Sequence, residues 1–203
     1  NAIILQKDEK KIISEAEEKD KSKDKSKSLF GLPIAVKDLS DVVGIETTYG
    51  FPGYKNNYPK QNSFFVDLLI KNGAIIIGKT NSAELGVGGH TINRLFGPTS
   101  NVYDLKKSAA GSSGGASTAV AAGLLPFADG TDQMGSCRGP AAYSNTYGFR
   151  PTPGLIASSR IGHNSNLPLL TTPGCFSKNP EDMSIMLDAI VGKNSSDPYS
   201  FNL

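Results

Sequence analysis

Three polar side chains in separate segments could together carry out nucleophilic chemistry. Lys37 follows a short apolar run, Ser112 lies in a glycine-rich segment, and Ser136 lies in a second turn further along the chain. A serine hydroxyl becomes a nucleophile when a neighbouring base takes its proton, and a lysine can be that base once burial favours its neutral form. A lone lysine is usually a surface ammonium. The combination is therefore compatible with acyl transfer only if the fold brings these segments together.

Both serine-containing segments are turns that lead into helices. Segment 111–115 precedes a run of small residues, and segment 130–140 ends on a proline suited to the first position of a helix. Backbone N–H groups at helix starts have no intrahelical partner and can face a developing oxyanion. The two turns thus predict places for anionic groups.

A histidine-activated serine or a cysteine nucleophile fits the sequence less well. His90 and His163 are the only histidines, and we interpret both as loop or surface residues. The positions two before and two after Ser136 are Met134 and Arg138, so the nucleophile-elbow pattern with glycines at both places is absent. Nothing near Cys137 indicates a thiol of lowered pKa, and it is interpreted as a packing residue.

A nucleotide-binding module is a further alternative, because segment 73–80 matches the phosphate-loop pattern of two glycines followed by Lys-Thr. A phosphate loop must follow a strand and expose its backbone N–H groups. Here a helical pattern precedes the first glycine, and three isoleucines fill the intervening positions. These residues favour a core strand and a turn.

Helical and strand patterns alternate along the chain, which predicts an α/β fold. Strands are predicted at 32–36, 74–77 and 124–128, and helices at 64–71, 140–147 and 180–191. Between 112 and 123, a glycine-rich turn is predicted to lead into an alanine-rich helix that Gly123 caps. Residues 1–30 are predicted to form an exposed helix that frays, between about 12 and 27, into a charged linker, while residues 31–203 form the core segment of one domain.

The charge and cysteine content exclude several classes of protein. The net charge is only +2, with no polybasic tract, which disfavours nucleic acid and anionic membranes as partners. Two cysteines are too few for a disulfide framework and wrongly spaced for a zinc site, so we expect a reducing, cytoplasmic location. No run of residues is long and apolar enough to span a membrane.

The chain resembles the amidase signature family from residue 31 to about 198. The matching blocks follow one another in family order: 31–38, 78–86, 93–101, 108–123 and 130–142. The spacing between Ser112 and Ser136 also matches that of the two catalytic serines of the family. The resemblance implies a mixed central β-sheet surrounded by α-helices, which is expected to be incomplete in this chain.

The resemblance further implies a Ser-cisSer-Lys triad. In it, Ser136 is the nucleophile, Ser112 relays the proton and Lys37 is the base. The backbone N–H groups of Gln133, Met134, Gly135 and Ser136 are expected to form the oxyanion hole. Ser113, Asp132 and Arg138 are expected to support the site, and no metal or cofactor is implied.

The implied substrate is a small-molecule amide, which the sequence does not specify. The amidase component of a glutamyl-tRNA amidotransferase is an alternative within the same family. Homo-oligomers are possible. Family members are normally much longer than 203 residues. We therefore expect the rest of the polypeptide to complete the sheet and the substrate cavity, and expect poor stability or no activity without it.

Two positions depart from the family pattern without touching the triad. Met134 stands where the family usually has glycine in the nucleophile turn, and Ala110 replaces a frequent glycine before the first serine. The Met134 side chain is expected to narrow or reshape the acyl pocket.

Overall fold

The computed structural model describes residues 1–158 and 170–202, so the predicted loop residue His163 lies outside the described residues. The strands are β1 (Ile3–Gln6), β2 (Pro33–Lys37), β3 (Ile75–Thr80), β4 (Phe127–Asp132), β5 (Tyr147–Phe149) and β6 (Thr172–Ser177). The helices are α1 (Glu9–Asp20), α2 (Phe64–Lys71), α3 (Gly114–Ala121), α4 (Arg138–Ser144) and α5 (Pro180–Ile190).

The strands form two three-stranded sheets. In the first, β3 lies between β1, to which it is antiparallel, and β2, to which it is parallel. In the second, β6 lies between β4 and β5, and both pairings are antiparallel. A side chain connects the two sheets, because the Lys37 N–H at the end of β2 donates to Asp129 Oδ1 of β4 at 2.7 Å. The predicted mixed α/β architecture is confirmed.

The two amphipathic helices form where the sequence predicts them. The apolar side of α2 buries Phe65, Val66 and Leu69, and the helix stops before Gly73, whose φ of +96° is a left-handed conformation that glycine tolerates. In α5, the Asn179 side chain accepts the Asp182 N–H at 2.7 Å. This cap and the proline that follows it fix the start of α5.

The predicted bounds of α4 were wrong. The helix begins at Arg138, two residues before Pro140, and it ends at Ser144 with Asn145 in the left-handed region at φ 49°. The early start is possible because the Asp132 carboxylate accepts the backbone N–H groups of Cys137 and Arg138, at the start of the helix. Gly148, predicted to end this helix, lies in β5.

The strand predicted at 124–128 is shifted along the chain. The observed strand, β4, starts at Phe127 and extends to Asp132, so it includes Asp129 and Thr131. A prediction from apolar content misses the end of this strand, because polar side chains there face the site described below.

The first 30 residues contribute more than the predicted exposed helix. No residue of α1 is buried, and Asp8 caps it by accepting the Lys11 N–H at 3.1 Å. The preceding strand, β1, was not predicted, and it pairs with β3 as the edge of the first sheet. Four residues are too few to give a reliable periodic pattern.

The phosphate-loop lookalike is a turn and a central strand. Residues 75–80 pair with β1 on one side and β2 on the other. Their backbone groups take part in sheet hydrogen bonding, whereas a phosphate loop must leave its N–H groups free. Within the described ranges, no helix is both long and apolar enough to cross a membrane.

Candidate active site

The Lys37 side chain lies among three hydroxyl groups. Its Nζ donates to Ser112 Oγ at 2.8 Å, to Ser113 Oγ at 2.7 Å and to Thr131 Oγ1 at 2.9 Å. Lys37 is fully buried, at 0% exposure, and Ser112 is 1% exposed. The fold therefore brings a lysine from β2 against a serine 75 positions later in the chain.

Burial changes the proton affinity of this lysine. Desolvation lowers the pKa of Lys37 from 10.5 to about 8, and the charges of Cys137, Asp129 and Asp132 act in the opposite direction. Hydroxyl partners satisfy the amine without adding a full negative charge. A substantial neutral fraction at mildly alkaline pH follows from this surrounding.

The segment that carries Ser112 approaches the loop that follows β3 very closely. A Cβ at Gly115 would lie 2.3 Å from the Asn81 backbone nitrogen, and one at Gly111 would lie 2.7 Å from the His90 carbonyl carbon. Only residues without a side chain fit here. The peptide bond between Gly111 and Ser112 is cis, as the resemblance implied, and Ala110 has a φ of 57°. That conformation is the one for which glycine is best suited.

Ser136 lies in the turn between β4 and α4, where it is partly exposed. The buried Asp132 carboxylate, at the end of β4, organises this turn. It accepts the backbone N–H of Gly135 at 2.8 Å, of Cys137 at 3.1 Å and of Arg138 at 3.3 Å. The backbone on both sides of the serine is therefore held by one carboxylate.

Arginines neutralise this carboxylate. Arg138 donates to Asp132 from Nε at 3.0 Å and from Nη2 at 2.9 Å, and Arg150 Nε lies 3.3 Å from Asp132 Oδ1. Burial alone would raise the pKa of Asp132. The hydrogen bonds from Arg138 and from the turn backbone outweigh it and hold that pKa well below its usual range.

The four backbone donors of the nucleophile turn differ in their partners. The Gly135 N–H donates to Asp132, whereas those of Gln133, Met134 and Ser136 have no acceptor within the described part of the chain. The Met134 side chain is 89% exposed. The turn thus presents unpaired N–H groups beside a serine, an arrangement able to bind an oxyanion.

Three further groups touch or adjoin Lys37 and were not identified from the sequence. Thr131 and Asp129 lie two positions apart on β4, so both side chains project from the same face of the strand, toward Lys37. Ser40 Oγ donates to Asp129 Oδ2 at 3.1 Å. The available sequence signal was the alternation of polar residues at 129 and 131, immediately before the nucleophile turn.

A second buried lysine lies nearby. Lys79 is 0% exposed, and its Nζ donates to the Ser40 carbonyl and lies 4.0 Å from Asp38 Oδ1. Asp38 in turn accepts the N–H of Thr48 at 3.0 Å and of Gly50 at 3.3 Å. Desolvation lowers the pKa of Lys79 to about 8 and raises the pKa of Asp38.

Residues considered as alternative catalysts lie elsewhere or are inert. His90 is exposed, and its Nδ1 lies 2.8 Å from Ser108 Oγ, outside the lysine cluster. Cys137 is fully buried, which raises the pKa of its thiol far above the usual value. No group of His, Cys, Asp and Glu side chains within residues 1–158 and 170–202 has a metal-binding arrangement.

Comparisons with known proteins identify relatives over nearly the whole chain. The family model described as Amidase matches residues 2–203. A glutamyl-tRNA(Gln) amidotransferase subunit of Methanosarcina barkeri is 38% identical over 174 residues, covering 86% of this chain and 36% of that protein. An acylamidase of Rhodococcus erythropolis is 39% identical over 204 residues, covering 98% of this chain and 42% of the acylamidase.

A solved structure shares the fold. The structure of 6-aminohexanoate cyclic dimer hydrolase complexed with substrate matches with a TM-score of 0.89 and 30% sequence identity. It covers 98% of this chain, and this chain covers 41% of it. The chain therefore spans about two fifths of the length of the relatives it matches.

Proposed function

The chain belongs to the amidase signature family, and we propose from this premise that it hydrolyses a carbon–nitrogen amide bond through an acyl-enzyme on Ser136. The observation that carries the proposal is the buried contact between Lys37 Nζ and Ser112 Oγ at 2.8 Å. It supplies a base whose pKa is lowered to about 8 without any histidine.

The proposed proton path runs through Ser112. Neutral Lys37 accepts the Ser112 hydroxyl proton while Ser112 accepts the proton of Ser136, and the Ser136 oxygen attacks the amide carbonyl carbon. When the tetrahedral intermediate collapses, the same path returns the proton to the leaving amine. Water then attacks the acyl-enzyme by the same relay, which releases the acid and restores Ser136.

The nucleophile turn is proposed to bind the oxyanion. The unpaired N–H groups of Gln133, Met134 and Ser136 are available for it, while the Gly135 N–H must be shared with, or released from, Asp132. Asp132 and Arg138 act by holding the turn, and Ser113 by accepting from the Lys37 amine. Loss of one oxyanion donor typically costs about 3–4 kcal/mol of transition-state stabilisation.

Active-site labelling tests the nucleophile without knowledge of the substrate. In the complete polypeptide that carries this sequence, a fluorophosphonate probe should label Ser136, and Ser136→Ala should abolish labelling. Ser108→Ala is the matched control, because Ser108 is the serine beside His90. Labelling that persists in Ser136→Ala and disappears in Ser108→Ala would replace this mechanism with a histidine-assisted one.

A second candidate function rests on the relatives. The glutamyl-tRNA(Gln) amidotransferase relative is 38% identical, so this chain could belong to the amidase component of such an enzyme, with glutamine as its amide. Release of ammonia from glutamine only in the presence of co-purifying partner proteins would support this assignment. Hydrolysis of aliphatic, aryl or cyclic amides by the isolated protein would support a stand-alone amidase.

A further inference from the structure

The buried carboxylate of Asp129 connects the two sheets beside Lys37, the proposed base. It is 1% exposed, and its two oxygens have different partners. Oδ1 accepts the Lys37 N–H at 2.7 Å, and Oδ2 accepts from Ser40 Oγ at 3.1 Å. The Asp129 side chain therefore accepts hydrogen bonds from the backbone of Lys37 and from the side chain of Ser40, three positions later.

The segment between these two contacts is a closed turn. The Ser40 N–H donates to the Lys37 carbonyl at 2.9 Å, and the Asp38 N–H donates to the Thr80 carbonyl at 3.0 Å. With both ends held by Asp129, the backbone of Lys37 has a fixed direction. Thr131, two positions after Asp129 on the same face of β4, accepts a hydrogen bond from Lys37 Nζ at 2.9 Å. The two residues thus contact the backbone and the side-chain end of Lys37.

We propose that Asp129 is the positioning residue of the base, holding the Lys37 backbone with one oxygen and supplying the negative charge that stabilises the ammonium form. This inference rests on the proposed function of Lys37. Asp129 touches no reacting atom, so its effect on catalysis passes through the lysine. Unlike the carboxylate of Asp132, it has no arginine partner within the described residues.

The surrounding charges are those on the elements packed against the pair. Lys37 is faced by Asp129 and Asp132 on β4 and by Cys137 before α4. Asp129 is faced by Lys37 on β2, Lys79 on β3, and the thiols of Cys137 and Cys175. Burial raises the pKa of Asp129, and the hydrogen bond from the Lys37 N–H is the first of the contacts that oppose this.

Asp129→Asn removes the negative charge and keeps the shape of the side chain. The amide oxygen can still accept the Lys37 N–H. Without the negative charge the ammonium form loses an attractive partner, so Lys37 should lose its proton at lower pH. A nearby opposite charge typically moves a pKa by about 1–3 units. We expect the midpoint of the pH–rate profile for fluorophosphonate labelling of Ser136 to fall by about one unit.

Ser40→Ala is the matched variant that keeps the charge and removes one contact of the carboxylate. It should lower the plateau labelling rate by about tenfold, from looser positioning, and leave the midpoint within about 0.3 units of the parent value. Asp41→Asn is the control for removing a carboxylate from the same loop, since Asp41 accepts from Tyr49 rather than from Lys37.

The experiment uses the complete polypeptide, with circular dichroism to check folding of each variant. A midpoint of folded Asp129→Asn equal to that of the parent overturns the inference. If Asp129→Asn does not fold, Ser40→Ala decides, and a plateau equal to the parent's overturns it. Failure of the proposed function is separate, because the parent would then show no labelling of Ser136 at any pH.

Discussion

Two lysines on neighbouring strands of the first sheet share complete burial and differ in their partners. Lys37 and Lys79 are both 0% exposed, and desolvation lowers the pKa of each to about 8. The register places Lys37 beside Thr80 and Val36 beside Lys79, so the two side chains leave opposite faces of the sheet. The two equally buried lysines therefore lie in different environments.

The partners determine what each lysine can do. Lys37 meets three hydroxyl groups, which can both give and accept a proton, and one of them belongs to Ser112. Lys79 meets a carbonyl oxygen and a carboxylate, which at neutral pH only accept hydrogen bonds. Burial makes a lysine titratable near neutrality, and a hydroxyl chain makes it useful as a base.

The largest expected effect is on activity at the first lysine. Lys37→Met removes the base and keeps the approximate length of the side chain. Labelling or amide hydrolysis should fall by about 10²–10⁴-fold, the usual contribution of a general base. The temperature of thermal unfolding at neutral pH should change little. The loss of the three hydrogen bonds of Lys37 is offset because the desolvation cost of the buried amine is also removed. Near-parental activity would contradict the role of Lys37 in the comparison.

The matched substitution at the second lysine should act on stability. Lys79→Met leaves the buried Asp38 carboxylate without its cation, and breaking a buried pair in this way typically costs about 3–5 kcal/mol. Urea unfolding of the complete polypeptide measures the loss. Adding Asp38→Asn to Lys79→Met should restore part of it, and an unchanged midpoint for Lys79→Met would remove the distinction between the two sites.

The pH dependence of stability sharpens the comparison. Below about pH 8, Lys37 holds its proton in both states, and between about 8 and 10.5 only the unfolded chain holds it. The parent therefore gains stability from Lys37 as pH rises through this window, by about 1.4 kcal/mol per unit at most. The stability of Lys37→Met relative to the parent should fall accordingly, measured by urea unfolding at several pH values. A constant difference would contradict the lowered pKa.

The smallest expected effect comes from one hydroxyl of the Lys37 cluster. Thr131→Val removes the acceptor 2.9 Å from Nζ and keeps the side-chain shape. We expect about a tenfold loss of labelling rate, since a hydrogen bond to a charged group contributes about 1.5 kcal/mol. Thr118→Val is the control, because among the described residues the Thr118 hydroxyl donates only to the Ser100 carbonyl, at 3.5 Å. Equal rates in both variants would show that the hydroxyl cluster is dispensable.

Much of the fold was predictable because it is locally encoded. The bounds of α2 follow from apolar spacing, with Phe65 and Leu69 buried and a glycine at the end. The start of α4 was not predictable in this way, because the Asp132 carboxylate supplies acceptors that proline-based rules ignore. The strand β1 was missed because it is short and gains its stability from pairing with β3.

The site was predicted in part for a similar reason. Lys37 and Ser112 were recognised by residue type and by the family resemblance, and the structure places them in contact. Asp129 was missed because its meaning depends on a contact across 92 positions of the chain. Lys79 was absorbed into a phosphate-loop lookalike, and its partner Ser40 lies 39 positions away. Contacts at such separations leave no local periodicity.

The nucleophile turn separates the side chain of Met134 from the backbone that carries the proposed chemistry. The turn is held by Asp132 through the N–H groups of Gly135, Cys137 and Arg138, whereas the Met134 side chain is 89% exposed. A codon change at 134 therefore alters an exposed side chain without altering the hydrogen bonds of the turn. Under the proposed function, position 134 can vary between descendants while the hydrogen-bonded backbone of the turn is inherited intact.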